Sequence, residues 1–149
     1  QDPEIEKLLA QPSIHSLIAQ GRIILSAGFH DSLLEYRAFV SCDFVWLGYV
    51  GGGYGSSGVL YQACSLGLPV IATEVGLIGW LVRQHGLGVT IDPTDSRGVA
   101  LAITNMISSE HSQKKFREKL HSLGSGHTAE KFGNATADAI VRGLVNGRR

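Results

Sequence analysis

Apolar runs alternate along the chain with apolar residues at helical spacing, which is the pattern of an α/β domain. The first predicted strand, 22–28, is mostly apolar throughout, as in a parallel sheet that is buried on both faces. The other predicted strands lie at 43–49, 69–73 and 89–91. We therefore predict a three-layer Rossmann-like domain with a mainly parallel sheet of at least four strands.

The helices are predicted from apolar residues spaced three and four positions apart. They lie within 3–20, where Pro12 divides two short helices, and at 33–41, 59–66, 80–85, 99–107 and 129–145. A loop at 74–79 is expected before the helix that begins at Trp80, and a break at 120–126 before the last helix. We interpret 1–149 as a single domain, of which 109–149 is a C-terminal helical tail.

The composition limits the classes of partner. The chain has 149 residues, 44% of them hydrophobic, which is enough for one domain with a core of its own. Lys and Arg number 13 and Asp and Glu number 13, so the zero net charge indicates neither nucleic acid nor a general membrane surface as a partner. The sequence has no apolar run of about 18 residues, and we predict no transmembrane segment or signal peptide.

The two cysteines, Cys42 and Cys64, lack the spacing of a metal site and fall in segments that we expect to be buried. Buried free thiols are typical of a cytosolic protein. We therefore predict a cytoplasmic location and no bound metal, and a disulfide between the two cysteines is the alternative.

A glycine-rich turn after the second predicted strand is the main candidate for a site. Five glycines lie from Gly51 to Gly58, so a ligand can approach the backbone closely, and Ser56 and Ser57 stand where the next helix begins. The unpaired N–H groups and the dipole of a helix start attract anions such as phosphate. Because the turn follows a parallel strand, it should lie at the carboxyl edge of the sheet. The alternative is that the glycines form a tight turn and one serine only caps the helix.

The helix and strand after this turn carry a motif that ends in Gly67-Leu-Pro-Val-Ile-Ala-Thr73, with Gly76 shortly after it. The motif resembles that of the C-terminal, donor-binding domain of retaining GT-B glycosyltransferases of family 4. The likeness covers roughly residues 20–108, including the strand end at 88–95. It implies half of a GT-B fold, in an enzyme that transfers a sugar from a nucleotide-diphosphate sugar to an acceptor hydroxyl with retention of configuration. The resemblance implies no essential metal and no cofactor.

The same resemblance implies roles for the residues of the turn. The diphosphate of the donor would lie against Gly55, Ser56, Ser57 and Gly58. Tyr54 and Gln62 stand where the family has two glutamates that bind hydroxyl groups of the donor sugar and of the ribose. Gln62 can still bond a ribose diol, because an amide both donates and accepts, and Tyr54 can stack on a sugar.

Three further residues would border this site. His30 follows the first predicted strand, and Glu74 and Gly76 follow the third. The simpler interpretation of His30 is a turn histidine beside a helix cap, and that of Glu74 is an exposed loop carboxylate.

The replacement of both glutamates leaves other functions open. One alternative is a catalytically degenerate GT-B-like module that binds partners or acts as a scaffold. Another is a nucleotide-sugar epimerase, which the lack of an evident acid–base pair disfavours. The N-terminal acceptor domain and the first βα units of the family are not visible in these 149 residues. We therefore expect the chain to bind a nucleotide-sugar donor but to transfer no sugar alone, while the full enzyme could make peripheral membrane contact.

Overall fold

The structure, a computed structural model, describes residues 3–26, 28, 31–51, 55, 57–108 and 110–146. Within this part of the chain there are eight helices and a three-stranded parallel sheet, so the predicted α/β class is confirmed. The chain forms two compact units, Gln1–Leu33 and Leu34–Arg149. The second unit contains the sheet.

The first unit is helical in its described part. Helix α1 spans Pro3–Leu9 and helix α2 spans Pro12–Ala19. Pro12 lies in the first turn of α2, after the extended residue Gln11, where the missing N–H of a proline is not needed. The prediction that Pro12 divides two short helices is confirmed.

The strand predicted at 22–28 is wrong for the residues that the structure describes. Residues 22–26 form no strand, and the side chains of Ile24 and Leu25 are 87% and 53% exposed. A strand needs a neighbouring strand for its hydrogen bonds, and the described part of the first unit holds no strand at all. The described sheet therefore has three strands, and not at least four as predicted.

The sheet consists of β1 Val45–Leu47, β2 Val70–Thr73 and β3 Gly88–Ile91, in the spatial order β1-β2-β3. Both pairs of strands are parallel, with Val45 opposite Val70 and Val70 opposite Gly88. The three strands match the other three predictions. Because they are parallel, they all end at the same edge, and the segments that follow them lie side by side.

The remaining helices are α3 Ser32–Val40, α4 Gly58–Ser65, α5 Gly76–His85, α6 Ser96–Ser108, α7 Glu110–Gly126 and α8 Ala129–Asn146. Helix α4 connects β1 to β2, and α5 connects β2 to β3, as the βαβ pattern predicts. Both crossover helices end before a left-handed glycine, Gly67 at φ 68° and Gly86 at φ 62°, which is a conformation that commonly ends helices.

Helix α5 begins at Gly76 and not at Trp80, so most of the loop predicted before Trp80 is helical. Ile78 is only 1% exposed and joins the buried face of the helix. At Gly79 a Cβ would overlap the main-chain carbonyl of Glu74. The prediction was wrong because this glycine allows close packing at the start of the helix and does not mark a loop.

Helices cover both faces of the sheet. Successive residues of a strand point to opposite faces, and those of β2 divide between two buried clusters. Val70 and Ala72 pack with residues of α4, α5 and α7, whereas Ile71 packs with Ile91 and with Met106 of α6. The described residues of the second unit therefore form a helix layer, a sheet and a second helix layer.

Helix α7 continues without interruption through the break predicted at 120–126. Leu120 and Leu123 are 0% and 9% exposed and belong to the same cluster as α4. A Cβ at Gly124 would lie 2.9 Å from the main-chain nitrogen of Ser65. The predicted break is wrong because Gly124 lets two helices approach closely and does not form a turn.

Helix α8 lies within the predicted C-terminal tail. Its described side chains, from 129 to 143, are all exposed, including Phe132 at 75% and Ile140 at 58%. None of the described helices is both long enough and apolar enough to cross a membrane.

Candidate functional site

The carboxyl edge of the sheet forms a cavity of about 320 Å³. It is lined by residues that end or follow each of the three strands, namely Tyr49, Val50, Gly51, Thr73, Glu74, Val75, Asp92, Pro93 and Thr94. The volume lies at the lower end of the range for small-molecule sites. Parallel α/β sheets bind ligands at this edge, so the fold itself directs the search for a site here.

Helix α4 begins beside this cavity, and Ser57 is its N-cap. The backbone of Ser57 is extended, with φ −107° and ψ 126°, and its Oγ accepts a hydrogen bond from the N–H of Leu60 at 3.4 Å. The hydroxyl of Tyr49, which lines the cavity, lies 3.4 Å from the same Oγ. Tyr49 therefore connects the helix start to the cavity.

The first turn of α4 has two amide N–H donors without a partner among the described residues. The N–H groups of Gly58 and Val59 take part in no hydrogen bond between described residues, whereas that of Leu60 is bonded to Ser57. Gly58 is exposed and Val59 is half-buried. Two unpaired N–H groups at the positive end of a helix dipole favour an anion at this position.

Neither conformation nor packing explains the glycines at 55 and 58. The φ angles of Gly55 and Gly58 are not left-handed, so another residue could adopt their conformations. A Cβ at either position would meet no atom of the described residues within 4 Å. Glycine at both positions leaves the backbone open to the close approach of another molecule.

The structure brings some of the predicted site residues to this edge. Gly55, Ser57 and Gly58 follow β1, and Glu74 and Gly76 follow β2. The carbonyl oxygen of Glu74 accepts a hydrogen bond from Arg83 Nη1 at 2.6 Å, which fixes the turn, while the Glu74 side chain is exposed. Three predicted residues, Tyr54, Ser56 and His30, lie outside the described residues.

Gln62 has a different environment from the one expected of a ribose ligand. It lies on the exposed side of α4, one turn beyond Gly58, and its Nε2 donates a hydrogen bond to Glu35 Oε1 at 3.2 Å. A carboxylate is therefore present next to Gln62, on helix α3. The amide is already engaged in a contact within the protein.

Thr73 and Asp92 were not identified as site residues from the sequence. Thr73 is 0% exposed, and among the described residues its Oγ1 is a buried polar atom without a hydrogen-bond partner. Asp92 follows β3, and its Oδ1 accepts hydrogen bonds from the N–H and the Oγ1 of Thr94 at 2.9 and 2.6 Å. These bonds hold the pKa of Asp92 below its ordinary value of 3.8. The signal in the sequence was position alone, since both residues stand at the carboxyl end of a predicted strand.

A larger cavity, of about 560 Å³, lies where helix α8 begins. The rings of Tyr61 and His127 lie 5.1 Å apart in its wall, and Phe132 contributes an exposed apolar surface. Two of its polar groups are already bonded, since Lys131 Nζ donates to the Ser125 carbonyl at 2.8 Å and His127 Nδ1 lies 3.0 Å from the Leu123 carbonyl oxygen. None of the predicted site residues that the structure describes lies in this cavity.

The cysteines do not belong to the candidate site. Cys64 is buried as predicted, but Cys42 is exposed, so the prediction of two buried thiols is wrong for Cys42. Burial raises the pKa of the Cys64 thiol from 9.0 to about 11, which keeps it protonated and unreactive near neutral pH. In the part of the chain that the structure describes, no group of three or more His, Cys, Asp or Glu side chains is arranged to hold a metal ion.

Comparisons of the chain with protein families, with characterised proteins and with solved structures give no match. The resemblance to a glycosyltransferase donor domain therefore stays a prediction. What the structure establishes is an α/β unit whose parallel strands end beside an open, capped helix start.

Proposed function

We propose that this chain is the donor-binding half of a retaining glycosyltransferase, which moves a sugar from a nucleotide-diphosphate sugar to an acceptor hydroxyl. The observation that carries the proposal is the start of helix α4. At the carboxyl edge of a parallel sheet, this helix start has two amide donors that are unpaired among the described residues. It also has a glycine, Gly58, that neither conformation nor packing explains. A diphosphate satisfies these donors and needs the space that the missing side chain leaves.

The chemical contribution of this chain would be to stabilise the leaving group. The bond between the anomeric carbon and the phosphate oxygen breaks, a bond to the acceptor oxygen forms on the same face of the sugar, and the proton of the acceptor hydroxyl passes to the departing diphosphate. Negative charge grows on the departing diphosphate during this step. The N–H groups of Gly58 and Val59 and the hydroxyl of Ser57 are fixed in place before the reaction, so they stabilise this charge without reorganising.

The proposal includes a second domain that binds the acceptor, and a cytoplasmic location with at most peripheral membrane contact. Both cysteines of this chain are free, and Cys42 is exposed. An exposed free thiol is the usual state in a reducing compartment, which supports the cytoplasm.

A scaffold or regulatory module is the second candidate function. It is favoured by the hydrogen bond between Gln62 and Glu35, because this bond occupies the side chain that stands at the ribose-binding position of the family. In that case the chain would retain the architecture of a donor domain and bind no nucleotide.

Calorimetric titration with UDP and GDP separates the two candidates. We expect one nucleotide to bind, and we expect the Ser57→Ala variant to bind it roughly 10- to 150-fold more weakly, because a hydrogen bond to a charged group contributes about 1.5–3 kcal/mol. Ser65→Ala is the matched control, since Ser65 lies at the opposite end of α4 and its Oγ bonds only the Tyr61 carbonyl. Binding of neither nucleotide, or equal losses in both variants, would contradict the donor-domain proposal.

A further inference from the structure

The cavity at the carboxyl edge contains a buried hydroxyl that the protein itself does not use. Thr73 is 0% exposed and lines the cavity, and its Oγ1 has no hydrogen-bond partner among the described residues. Valine has nearly the same shape without the hydroxyl and would avoid the free-energy penalty of an unsatisfied buried polar group. A ligand that bonds this hydroxyl is a physical reason for threonine at this position.

The charges around the cavity select the class of ligand. Two of its lining residues, Glu74 and Asp92, are carboxylates, and none of the described lining residues is basic. A phosphate would be repelled at this position, whereas a neutral hydroxyl group can donate a hydrogen bond to a carboxylate. Both bonds from Thr94 fall on Asp92 Oδ1, and no hydrogen bond between described residues uses Oδ2. The carboxylate therefore retains an acceptor for a ligand.

The rest of the lining suits a ligand with both polar and apolar faces. Val50, Val75 and Pro93 present carbon atoms, and Tyr49 presents a ring with a hydroxyl. The volume of about 320 Å³ exceeds that of a few water molecules, each of which fills about 30 Å³. A monosaccharide has the required combination of several hydroxyl groups and C–H surfaces.

We propose that the cavity lined by Thr73, Asp92 and Tyr49 is a binding site for an uncharged monosaccharide, in which the Thr73 hydroxyl bonds a sugar hydroxyl at the cavity wall. The identification of that sugar as the sugar of the donor rests on the proposed function. The Tyr49 hydroxyl lies 3.4 Å from Ser57 Oγ, so a sugar in the cavity is next to a diphosphate at the start of α4. Acidic residues around the sugar and amide donors around the diphosphate would then fix the orientation of the donor.

The test is an NMR titration of the 15N-labelled 149-residue chain with glucose, mannose and galactose, each added to the limit of its solubility. We expect at least one sugar to give saturable shifts at the amides of residues 50–51, 73–75, 92 and 94. Thr73→Val should weaken this binding about fivefold to tenfold, the effect of one lost hydrogen bond, while Thr73→Ser should preserve it. Thr104→Val is the matched control, because Thr104 is an exposed residue of α6 that bonds only the Ala100 carbonyl.

Thermal unfolding is the check that the Thr73→Val variant folds, and we expect it to melt at a higher temperature than the wild type because the unsatisfied hydroxyl is gone. The proposal is overturned if no sugar gives saturable shifts, if Thr73→Val binds sugar as tightly as the wild type, or if pyrophosphate rather than sugar shifts the cavity amides. Nucleotide binding without sugar binding would overturn this site and leave the donor-domain function standing. Sugar binding without nucleotide binding would contradict the donor-domain function and leave the sugar site standing.

Discussion

Replacement of Gly58 by alanine tests whether the glycine serves the fold or a ligand. Gly58 is the first residue of helix α4, it is exposed, its φ is not left-handed, and a Cβ would meet no atom of the described part of the chain within 4 Å. The new methyl group therefore creates no clash and buries no apolar surface. Its main effect is to restrict the unfolded chain, which stabilises the fold by about 0.4–1 kcal/mol. For a domain of this size, we expect the melting temperature to rise by roughly 1–4 °C.

The same methyl group should weaken diphosphate binding. It would occupy the space through which a diphosphate reaches the N–H groups of Gly58 and Val59, and forcing such a contact costs about 1–3 kcal/mol, or roughly 5- to 150-fold in affinity. Differential scanning fluorimetry and calorimetric titration with UDP and GDP measure the two effects on one preparation. As a control, Gly88→Ala should instead lower the melting temperature, because its Cβ would overlap the main-chain oxygen of Val70 in β2. A Gly58→Ala variant that melts below the wild type, or that binds nucleotide unchanged, would refute the reasoning.

Three other predictions concern the thiols, a strand end and a helix contact. Iodoacetamide should modify Cys42 but not Cys64 in the folded protein, and both cysteines after denaturation. Between pH 9 and 11 the free energy of unfolding should fall, because the pKa of Cys64 is lower in the unfolded chain than in the folded protein and only the unfolded thiol ionises there. In pH-dependent urea unfolding, a Cys64→Ser variant should lack this fall. Thr94→Ala should raise the pKa of Asp92 part of the way towards 3.8, since the side-chain hydrogen bond that lowers it most is lost while the backbone N–H bond stays, and an unchanged NMR titration would contradict this. Gly124→Ala should destabilise the fold by about 1–3 kcal/mol in urea unfolding, because its Cβ would press on the backbone of α4, and an unchanged midpoint would contradict the close helix contact.

The elements around the βαβ unit could be predicted because several local signals agree there. The apolar runs of β2 and β3, the spacing of Leu60 and Cys64 on α4, and the left-handed Gly67 all indicate the same structure. The predictions failed where one residue type has two physical uses. Gly124 was interpreted as a turn residue but permits close packing of two helices, and this contact depends on tertiary structure that a local pattern does not contain.

The candidate site was predictable to a similar extent. Ser57 and Gly58 were identified from the turn chemistry, and the structure places them at the start of α4 with amide donors unpaired. The unsatisfied hydroxyl of Thr73 could not be found from the sequence, because burial and the absence of a partner are properties of the packed sheet. The contact between Gln62 and Glu35 joins residues 27 positions apart, so no local pattern indicates it.

The central claim is that the first-turn amides of α4 bind a diphosphate, and an NMR titration of the 15N-labelled chain tests it most directly. UDP or GDP should shift the amide signals of Gly58 and Val59 most strongly, whereas uridine or guanosine, which lack the diphosphate, should leave both signals in place. If the diphosphates leave these two signals unmoved, or the nucleosides shift them equally, the start of α4 is not a diphosphate site and the account is contradicted.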